Sequence, residues 1–297
     1  MLLPAFKAAD YRVSPGFSLP DFPTSYAEAP PKKVLKKALK AHRKSLIKFQ
    51  ERLYAHGRHA VLVCLQGMDT AGKDSLVRKV FQDFNSRGVV VHNFGKPTSR
   101  EYRHDFLWRH YAALPERGKF GVFNRSHYEN VLTTRVHPEL LLHEKLPHIH
   151  RIEDIPEDFW ESRMQRIRNF EYHVSQSGTF IFKFFLHISP EEQRQRLMQR
   201  LERPTKRWKY TPSDLEDRNY WDGYQSCYQE ALIRTDAACA PWYVIPADDK
   251  KVARWMVARI LDECLQQHTH IQAPPWNPET QGELNAALQV LENHAPQ

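Results

Sequence analysis

Residues 67–74 read Gly67-Met68-Asp69-Thr70-Ala71-Gly72-Lys73-Asp74, between an apolar run at 59–66 and a helical pattern at 75–84. A glycine loop between a strand and a helix is the context of a phosphate-binding P-loop. The glycines let backbone N–H groups turn towards phosphate oxygens, and the N-terminus of the following helix adds a partial positive charge. Lys73 adds a full one. The stretch therefore predicts a phosphate site built on Gly67, Ala71, Gly72 and Lys73.

The position after Lys73 departs from the usual P-loop, because Asp74 stands where Ser or Thr is expected. A carboxylate repels phosphate, so we expect Asp74 to hold a metal, a basic side chain or the loop backbone. A chance glycine match in a strand–turn–helix is the alternative for the whole stretch. The loop indicates phosphate without specifying which phosphate or which reaction.

Composition narrows the class of protein. The chain has 297 residues, of which 41% are hydrophobic, enough for one large α/β domain or two small ones. No apolar run approaches the roughly 18 residues that span a bilayer, and residues 1–10 lack a signal-peptide layout. The four cysteines are scattered, which argues against a zinc ribbon or a disulfide framework. We expect a cytoplasmic protein without a membrane partner. The net charge of +8 predicts that its partner is a polyanion.

Strand and helix patterns alternate along the chain. Apolar runs typical of strands lie at 61–65, 89–91, 120–123, 179–188 and 242–245, with Lys183 interrupting the fourth. Helical patterns lie at 159–176, 190–202, 213–234 and 250–266. This alternation predicts a P-loop kinase-like, three-layer α/β/α fold with a five-stranded parallel sheet and a helical lid.

The domain boundaries follow from changes in pattern. We expect an irregular N-terminal arm at 1–31, a P-loop domain at 32–266 with its lid at about 200–215, and a C-terminal tail at 267–297 with a short helix near 283–292. The domain opens with an amphipathic helix whose polar face is basic. That face is either solvated or a wall for a polyanion, and both interpretations stand.

Polar side chains follow the second and third strands. Asn124 and Arg125 end the third strand, and Glu129 and Arg135 come shortly after. The carboxyl end of a strand beside a P-loop faces the phosphates, where Arg125 can make a bidentate contact. Glu129 can hold a metal through water or contact a nucleotide. The alternative for both arginines is a surface salt bridge.

Lys96 lies at the end of the second strand and is expected to point over the same crevice. Thr98 and Glu101 just after it have the spacing of a capping box.

Basic residues crowd the predicted lid, among them Arg200, Lys206 and Arg207. Closure of such a lid excludes water and brings cations to a transferring phosphoryl group. Trp208 offers a face for a nucleotide base. A solvated basic loop is the alternative interpretation.

Several sequence motifs, taken together, resemble those of the family-2 polyphosphate kinases. They are the loop at 67–74, Lys96-Pro97-Thr98, His104-Asp105-Phe106-Leu107-Trp108-Arg109, Asn124-Arg125-Ser126-His127-Tyr128-Glu129, and Lys206-Arg207-Trp208-Lys209 with Trp221-Asp222. The resemblance runs from about the basic helix to about residue 266. It implies reversible phosphoryl transfer between inorganic polyphosphate and adenine or guanine nucleotides, with Mg²⁺ or alternatively Mn²⁺, by a homo-oligomer, often a tetramer.

The resemblance also implies roles for single residues. Asp69, Lys73, Asn124 and Arg125 would be catalytic, and Asp69 and Glu129 would hold metal. Polyphosphate would lie on the P-loop residues and on Lys96, Arg125, Arg200, Lys206 and Arg207. The nucleotide would lie on Lys96, Glu129, Arg135 and Trp208. Many members have aspartate where this chain has Asn124, which shifts metal ligation towards Asp69. The motif Asn-Arg-Ser-x-Tyr-Glu is similar to that of members that phosphorylate both nucleoside monophosphates and diphosphates.

Two competing functions remain. An ATP-dependent nucleotide kinase would make the basic helix and lid ordinary surface. A non-catalytic polyanion- or RNA-binding protein would explain the charge but not the P-loop. No RNA-recognition signature is present, so nucleic acid is not an expected partner.

Overall fold

Parallel strands form the central sheet of the computed structural model, which describes residues 6–211, 213–275 and 278–293. The five strands are β1 (Ala60–Gly67), β2 (Val89–Asn93), β3 (Phe120–Asn124), β4 (Thr179–His187) and β5 (Trp242–Pro246), in the spatial order β2-β3-β1-β4-β5. All neighbouring pairs are parallel. The predicted five-stranded parallel sheet is therefore confirmed.

Helices cover both faces of this sheet. Within the described residues they are α1 (Lys32–His56), α2 (Lys73–Val80), α3 (Trp108–Ala112), α4 (Thr133–Val136), α5 (Phe159–Gln176), α6 (Pro190–Glu202), α7 (Ser213–Asn219), α8 (Trp221–Thr235), α9 (Lys250–Gln266) and α10 (Pro278–Asn293). On one face α9 packs against α1 and α2, and on the other α5 packs against β4 and α8.

The sequence of β1 explains its central place. Every residue of this strand is buried, and alternate side chains enter different apolar clusters. Val61 and Val63 join the larger cluster, while Leu62 and Cys64 pack with Phe170 and Val174 of α5. A strand buried on both faces reads as a continuous apolar run, which is why the sequence pattern located it.

The order of the strands decides where a ligand can bind. The chain first builds β2 and β3 on one side of β1 and then β4 and β5 on the other. Ligands of such open parallel sheets bind beyond the carboxyl ends of the strands at the point where the order reverses. Asn124 and Asn93 are register partners at that edge, and Asn124 lies opposite Leu65 of β1.

Two predicted helical patterns of the P-loop domain differ from the helices observed. The pattern at 75–84 overran α2, because Phe81 and Phe84 are buried against each other beyond the end of the helix. The pattern at 213–234 is broken at Tyr220 into α7 and α8. Tyr220 packs on the ring of His137, whose Nε2 lies 3.0 Å from Asp217 Oδ1, so the chain bends around this histidine.

The segment at 6–31 lies along the β5 edge of the sheet. Val13 N donates to Trp242 O at 3.0 Å, and Thr24 Oγ1 donates to Asp248 Oδ2 at 2.7 Å. Covering a sheet edge removes a surface on which other chains can pair. At the other end of the chain, α10 is longer than the helix expected near 283–292. None of the helices in the described ranges is both long and apolar enough to cross a membrane.

Arg196 of α6 ties the loop after β1 to the loop after β5. Its side chain is almost fully buried, and Nη1 donates to the carbonyls of Thr70 and Ala71 at 3.0 and 2.9 Å. Nη2 donates to the carbonyls of Ala247 and Asp248 at 2.7 and 2.8 Å. One guanidinium thus satisfies four carbonyls of two loops at the carboxyl edge of the sheet.

We expect Arg196→Met to lower the free energy of unfolding by at least about 3 kcal/mol, because buried carbonyls lose a charged donor. Chemical denaturation monitored by circular dichroism measures the change. Arg194→Met is the matched control, because Arg194 lies on the same helix, is half-exposed and pairs with Glu191 one turn away. Equal denaturation midpoints for the two variants would contradict the role of Arg196.

Candidate active site

A cavity of about 910 Å³ opens at the carboxyl edge of the sheet, within the range of about 300–1,000 Å³ that is usual for ligand sites. The loop after β1, the ends of β2 and β3, the segment from Gln199 to Thr211, and the start of α9 line it. Among the described residues, six cationic side chains and two carboxylates, Asp69 and Asp74, border it; the cations are Lys73, Arg78, Arg125, Arg196, Arg200 and Lys250. This balance of charge suits a polyanion.

The P-loop lysine lies folded over its own loop. Lys73 Nζ donates to the carbonyls of Gly67 and Met68, the latter at 3.3 Å. Burial lowers the pKa of Lys73, and the nearby Arg125 lowers it further, while Asp69 acts in the opposite direction. Gly67 has little space, because a Cβ at this position would lie 2.8 Å from the carbonyl of Leu186 on β4. The loop therefore lies close against the sheet.

Arg125 faces Asp69 across the cavity mouth. Its Nη2 lies 2.9 Å from Asp69 Oδ1, which joins the loop after β3 to the loop after β1. Glu129 is the main cause of a raised pKa of Arg125, with Asp69 adding to the effect against desolvation. Arg125 adopts φ 61°, and Thr70 in the other loop adopts φ 65°. Left-handed conformations are uncommon for residues other than glycine, and they cluster at functional sites.

Asn124 connects the ends of three elements. Its Nδ2 donates to Asp74 Oδ1 at 2.8 Å and to Asn93 Oδ1 at 2.6 Å. The P-loop pattern did not explain the presence of Asp74. Its carboxylate accepts a hydrogen bond from the amide of Asn124 at the end of β3. Asn124 Oδ1 is buried and has no hydrogen-bond partner among the described residues. An oxygen of this kind is available to a ligand.

The segment predicted as a lid borders the cavity on one side. Arg200, Trp208 and Thr211 line the cavity, and Trp208 is 76% exposed. Arg207 Nε instead donates to the carbonyl of Leu201 at 2.7 Å, and Arg207 does not line the cavity. The side chain of Lys206 lies outside the described part of the structure. Whether the segment closes over a ligand stays a prediction.

Four other predicted residues lie outside the lining of the cavity, and one of them is Gly67, whose carbonyl accepts a hydrogen bond from Lys73. Lys96 is exposed, and Arg135 forms an ion pair with Glu230 of α8. Glu129 accepts a hydrogen bond from Thr133 Oγ1 at 2.6 Å and acts on the cavity through the charge of Arg125. The structure therefore brings Asp69, Lys73, Asn124, Arg125, Arg200 and Trp208 together at the cavity. It leaves Lys96 and Arg135 outside, and it places Glu129 near Arg125 but not in the lining.

Sequence reasoning missed several polar lining residues, among them Arg78, Asn93, Lys250 and, as a lining side chain, Arg196. Lys250 and Asn93 had a usable signal, because each lies at or just beyond the carboxyl end of a strand. Arg78 had none, because a basic residue within α2 looks like an ordinary helix surface.

Comparison with known proteins matches this geometry to one family. The sequence profile of the Polyphosphate kinase 2 (PPK2) family matches residues 30–273. The chain is 47% identical over 229 residues to the AMP/ADP-polyphosphate phosphotransferase of Meiothermus ruber, covering 77% of this chain and 80% of that protein. It is 45% identical over 242 residues to the ADP-polyphosphate phosphotransferase of Rhodopseudomonas palustris, covering 82% of each.

A solved structure shares the fold. The crystal structure of polyphosphate kinase 2 from Arthrobacter aurescens is similar with a TM-score of 0.85 and 35% sequence identity, covering 95% of this chain and 98% of that one. The resemblance found in the sequence motifs is therefore confirmed along most of the chain. With a P-loop and a cationic cavity at the carboxyl edge of a parallel sheet, this protein belongs to the polyphosphate kinase 2 family and is a polyphosphate-dependent nucleotide phosphotransferase.

Proposed function

We propose that this enzyme transfers phosphoryl groups reversibly between inorganic polyphosphate and both AMP and ADP, forming ADP and ATP. The observation that carries the proposal is the cavity itself, where six cations and two carboxylates of the described part of the chain surround a space of about 910 Å³. A channel of this charge suits a long polyanion better than one nucleotide. The name of the Meiothermus ruber relative, an AMP/ADP-polyphosphate phosphotransferase, supports both acceptors.

The residues around the cavity have distinct parts in this reaction. An oxygen of the acceptor's terminal phosphate bonds to the terminal phosphorus of polyphosphate, and the P–O bond to the shortened chain breaks. Lys73 neutralises charge on the transferred group, and Arg125 holds it in line through its planar guanidinium. Arg200 and Lys250 bind the rest of the chain. Trp208 offers its ring to the base, and closure of the segment around it would exclude water.

The donor set of the cavity fits a hard divalent cation. Asp69 has one carboxylate oxygen besides the one that faces Arg125, and Asn124 has a buried, unpartnered oxygen. No group of three His, Cys, Asp or Glu side chains with metal-binding geometry occurs in the described residues, so phosphate oxygens and water would supply the remaining ligands, as is usual for Mg²⁺. We propose Asp69 as the principal ligand and Glu129 as a contributor through water. When bound, Mg²⁺ or Mn²⁺ would reduce the negative charge of the phosphates.

The proposed assembly follows from the family resemblance, and the proposed location follows from the scattered cysteines of the sequence. We propose a homo-oligomer, with a tetramer as the form to test first, in the cytoplasm, acting on adenine or guanine nucleotides.

Incubation of the purified protein with polyphosphate, Mg²⁺ and either AMP or ADP, without ATP, tests the proposed function. Separation of the nucleotides should show ADP and then ATP from AMP, and ATP from ADP. Excess polyphosphate drives phosphorylation of the nucleotide, and excess ATP drives the reverse transfer to polyphosphate. Phosphorylation only when ATP is the donor would favour the ordinary nucleotide kinase.

We expect Lys73→Ala and Asp69→Asn each to lower kcat by about two to three orders of magnitude, the usual effect of removing one preorganised electrostatic contact. Lys79→Ala and Asp83→Asn are matched controls, because Lys79 lies in the last turn of α2 and Asp83 lies just beyond its end, both outside the cavity lining. Steady-state kinetics with polyphosphate and ADP measures the change, and thermal melting checks the fold. Near-normal turnover in a folded Asp69→Asn variant would move metal ligation to Glu129.

Glu129→Gln should change the ratio of AMP to ADP turnover at unchanged thermal stability. Glu129 carries the charge that most strongly affects Arg125, so its removal alters how Arg125 meets the acceptor's phosphates. Glu139→Gln, an exposed position nearby in the chain, is the control. A lower melting temperature with an unchanged ratio would show that Glu129 serves only the local helix terminus.

A further inference from the structure

Strand β4 contains one charged residue in an apolar setting. Lys183 is 0% exposed and lies between Phe182 and Phe184 in the sequence. Its Nζ is 2.7 Å from Glu171 Oε2, 2.9 Å from Tyr128 Oη and 2.7 Å from the carbonyl of Thr235. An ammonium group has three hydrogens, and each has an acceptor here.

Glu171 of α5 completes this buried network. It is 1% exposed, and its Oε1 lies 3.0 Å from His127 Nε2 and 2.8 Å from Tyr128 Oη. Burial by itself would raise the pKa of Glu171, but Lys183 and His127 bring this pKa below its usual value. The network therefore joins an ionised carboxylate to an ammonium group beneath the loop that follows β3.

Stability alone does not explain this pair. Taking two charges out of water is unfavourable, and replacing a buried ion pair by apolar side chains of similar volume is often neutral or stabilising. Ile181 and Phe185, which share the face of β4 with Lys183, are apolar and buried, so this face accepts apolar side chains. A better explanation lies in the geometry that the pair imposes on its partners.

The partners of the pair belong to the loop of the active site. His127 and Tyr128 both contact Glu171, and they lie between Arg125 and Glu129 in the chain. Arg125 adopts φ 61°, a conformation that persists only where surrounding contacts hold it. Neither Lys183 nor Glu171 lines the cavity, so they reach it through this loop.

We propose that Lys183 and Glu171 are positioning residues, which hold the loop from Asn124 to Asn130 through Tyr128 and His127 and thereby orient Arg125. The inference rests on the proposed role of Arg125 in phosphoryl transfer. A displacement of about 1 Å at a catalytic group can reduce the rate about 100-fold. The pair therefore acts on kcat more than on substrate KM.

Tyr128→Phe is the sharpest variant, because it removes the hydroxyl that joins the loop to Lys183 and leaves both charges in place. Tyr243→Phe is the matched control, since Tyr243 is also buried in the sheet and its hydroxyl contacts Cys264 on the opposite side from the loop's partners. We expect Tyr128→Phe to lower kcat by about 10- to 100-fold with little change in KM for polyphosphate, and Tyr243→Phe to retain wild-type kcat.

A double-mutant cycle with Arg125→Lys separates positioning from general stability. If Tyr128 acts through Arg125, Tyr128→Phe should have little further effect on kcat in the Arg125→Lys background. An equal loss in both backgrounds, or wild-type kcat in Tyr128→Phe, would overturn the proposal. The double variant Lys183→Met/Glu171→Gln removes both charges at similar volume and should show the same dependence on Arg125, which keeps the test open if Tyr128→Phe folds poorly.

The wild-type enzyme distinguishes this inference from the proposed function. Turnover of polyphosphate by the wild type together with full kcat in the folded variants refutes the positioning role alone. Absence of polyphosphate turnover in the folded wild type refutes the proposed function, and the positioning role with it.

Discussion

Positive charge concentrated at one edge of the sheet is the constraint on which the rest of the structure depends. Burial lowers the pKa of Lys73, and the neighbouring positive charge of Arg125 lowers it further, so the two cations repel each other. The fold holds them together before any phosphate arrives. Backbone carbonyls of the P-loop accept hydrogen bonds from the ammonium group of Lys73, while the negative charges of Asp69 and Glu129 offset the positive charge of Arg125. A polyanion would replace these internal partners by stronger ones.

Two loops in sparsely populated conformations carry this charge, and a buried cation supports each. Arg196 binds the carbonyls of Thr70 and Ala71, beside the left-handed Thr70. Lys183, with Glu171, supports the loop that begins at the left-handed Arg125. Both supports come from side chains distant in sequence, so each loop keeps its shape through contacts with the body of the protein.

The P-loop of this chain differs from that of an ordinary nucleotide kinase for a reason that the structure makes clear. The usual Ser or Thr after the lysine holds Mg²⁺ on a nucleoside triphosphate. Asp74 occupies that position and accepts the amide of Asn124, which also donates to Asn93. The position thus links α2 to the ends of β3 and β2.

The sequence by itself determined the elements and their order, because these depend on local patterns. Helices α5, α6 and α9 have the predicted bounds, and local caps explain two of them: Ser189 Oγ accepts the N–H of Glu192, and Asp249 accepts that of Lys251. The P-loop and the strand-end pair Asn124-Arg125 were also found, because parallel strands bring their carboxyl ends to one edge. Tertiary structure decided which basic residues reach the cavity. Arg135 is held by Glu230, 95 residues away, and Lys183, an apparent interruption of a strand, is neutralised by Glu171 of a packed helix. Such pairings depend on distances between elements that no local pattern records, so charge in the sequence indicated a polyanion site but only the packed fold assigned each charge its partner.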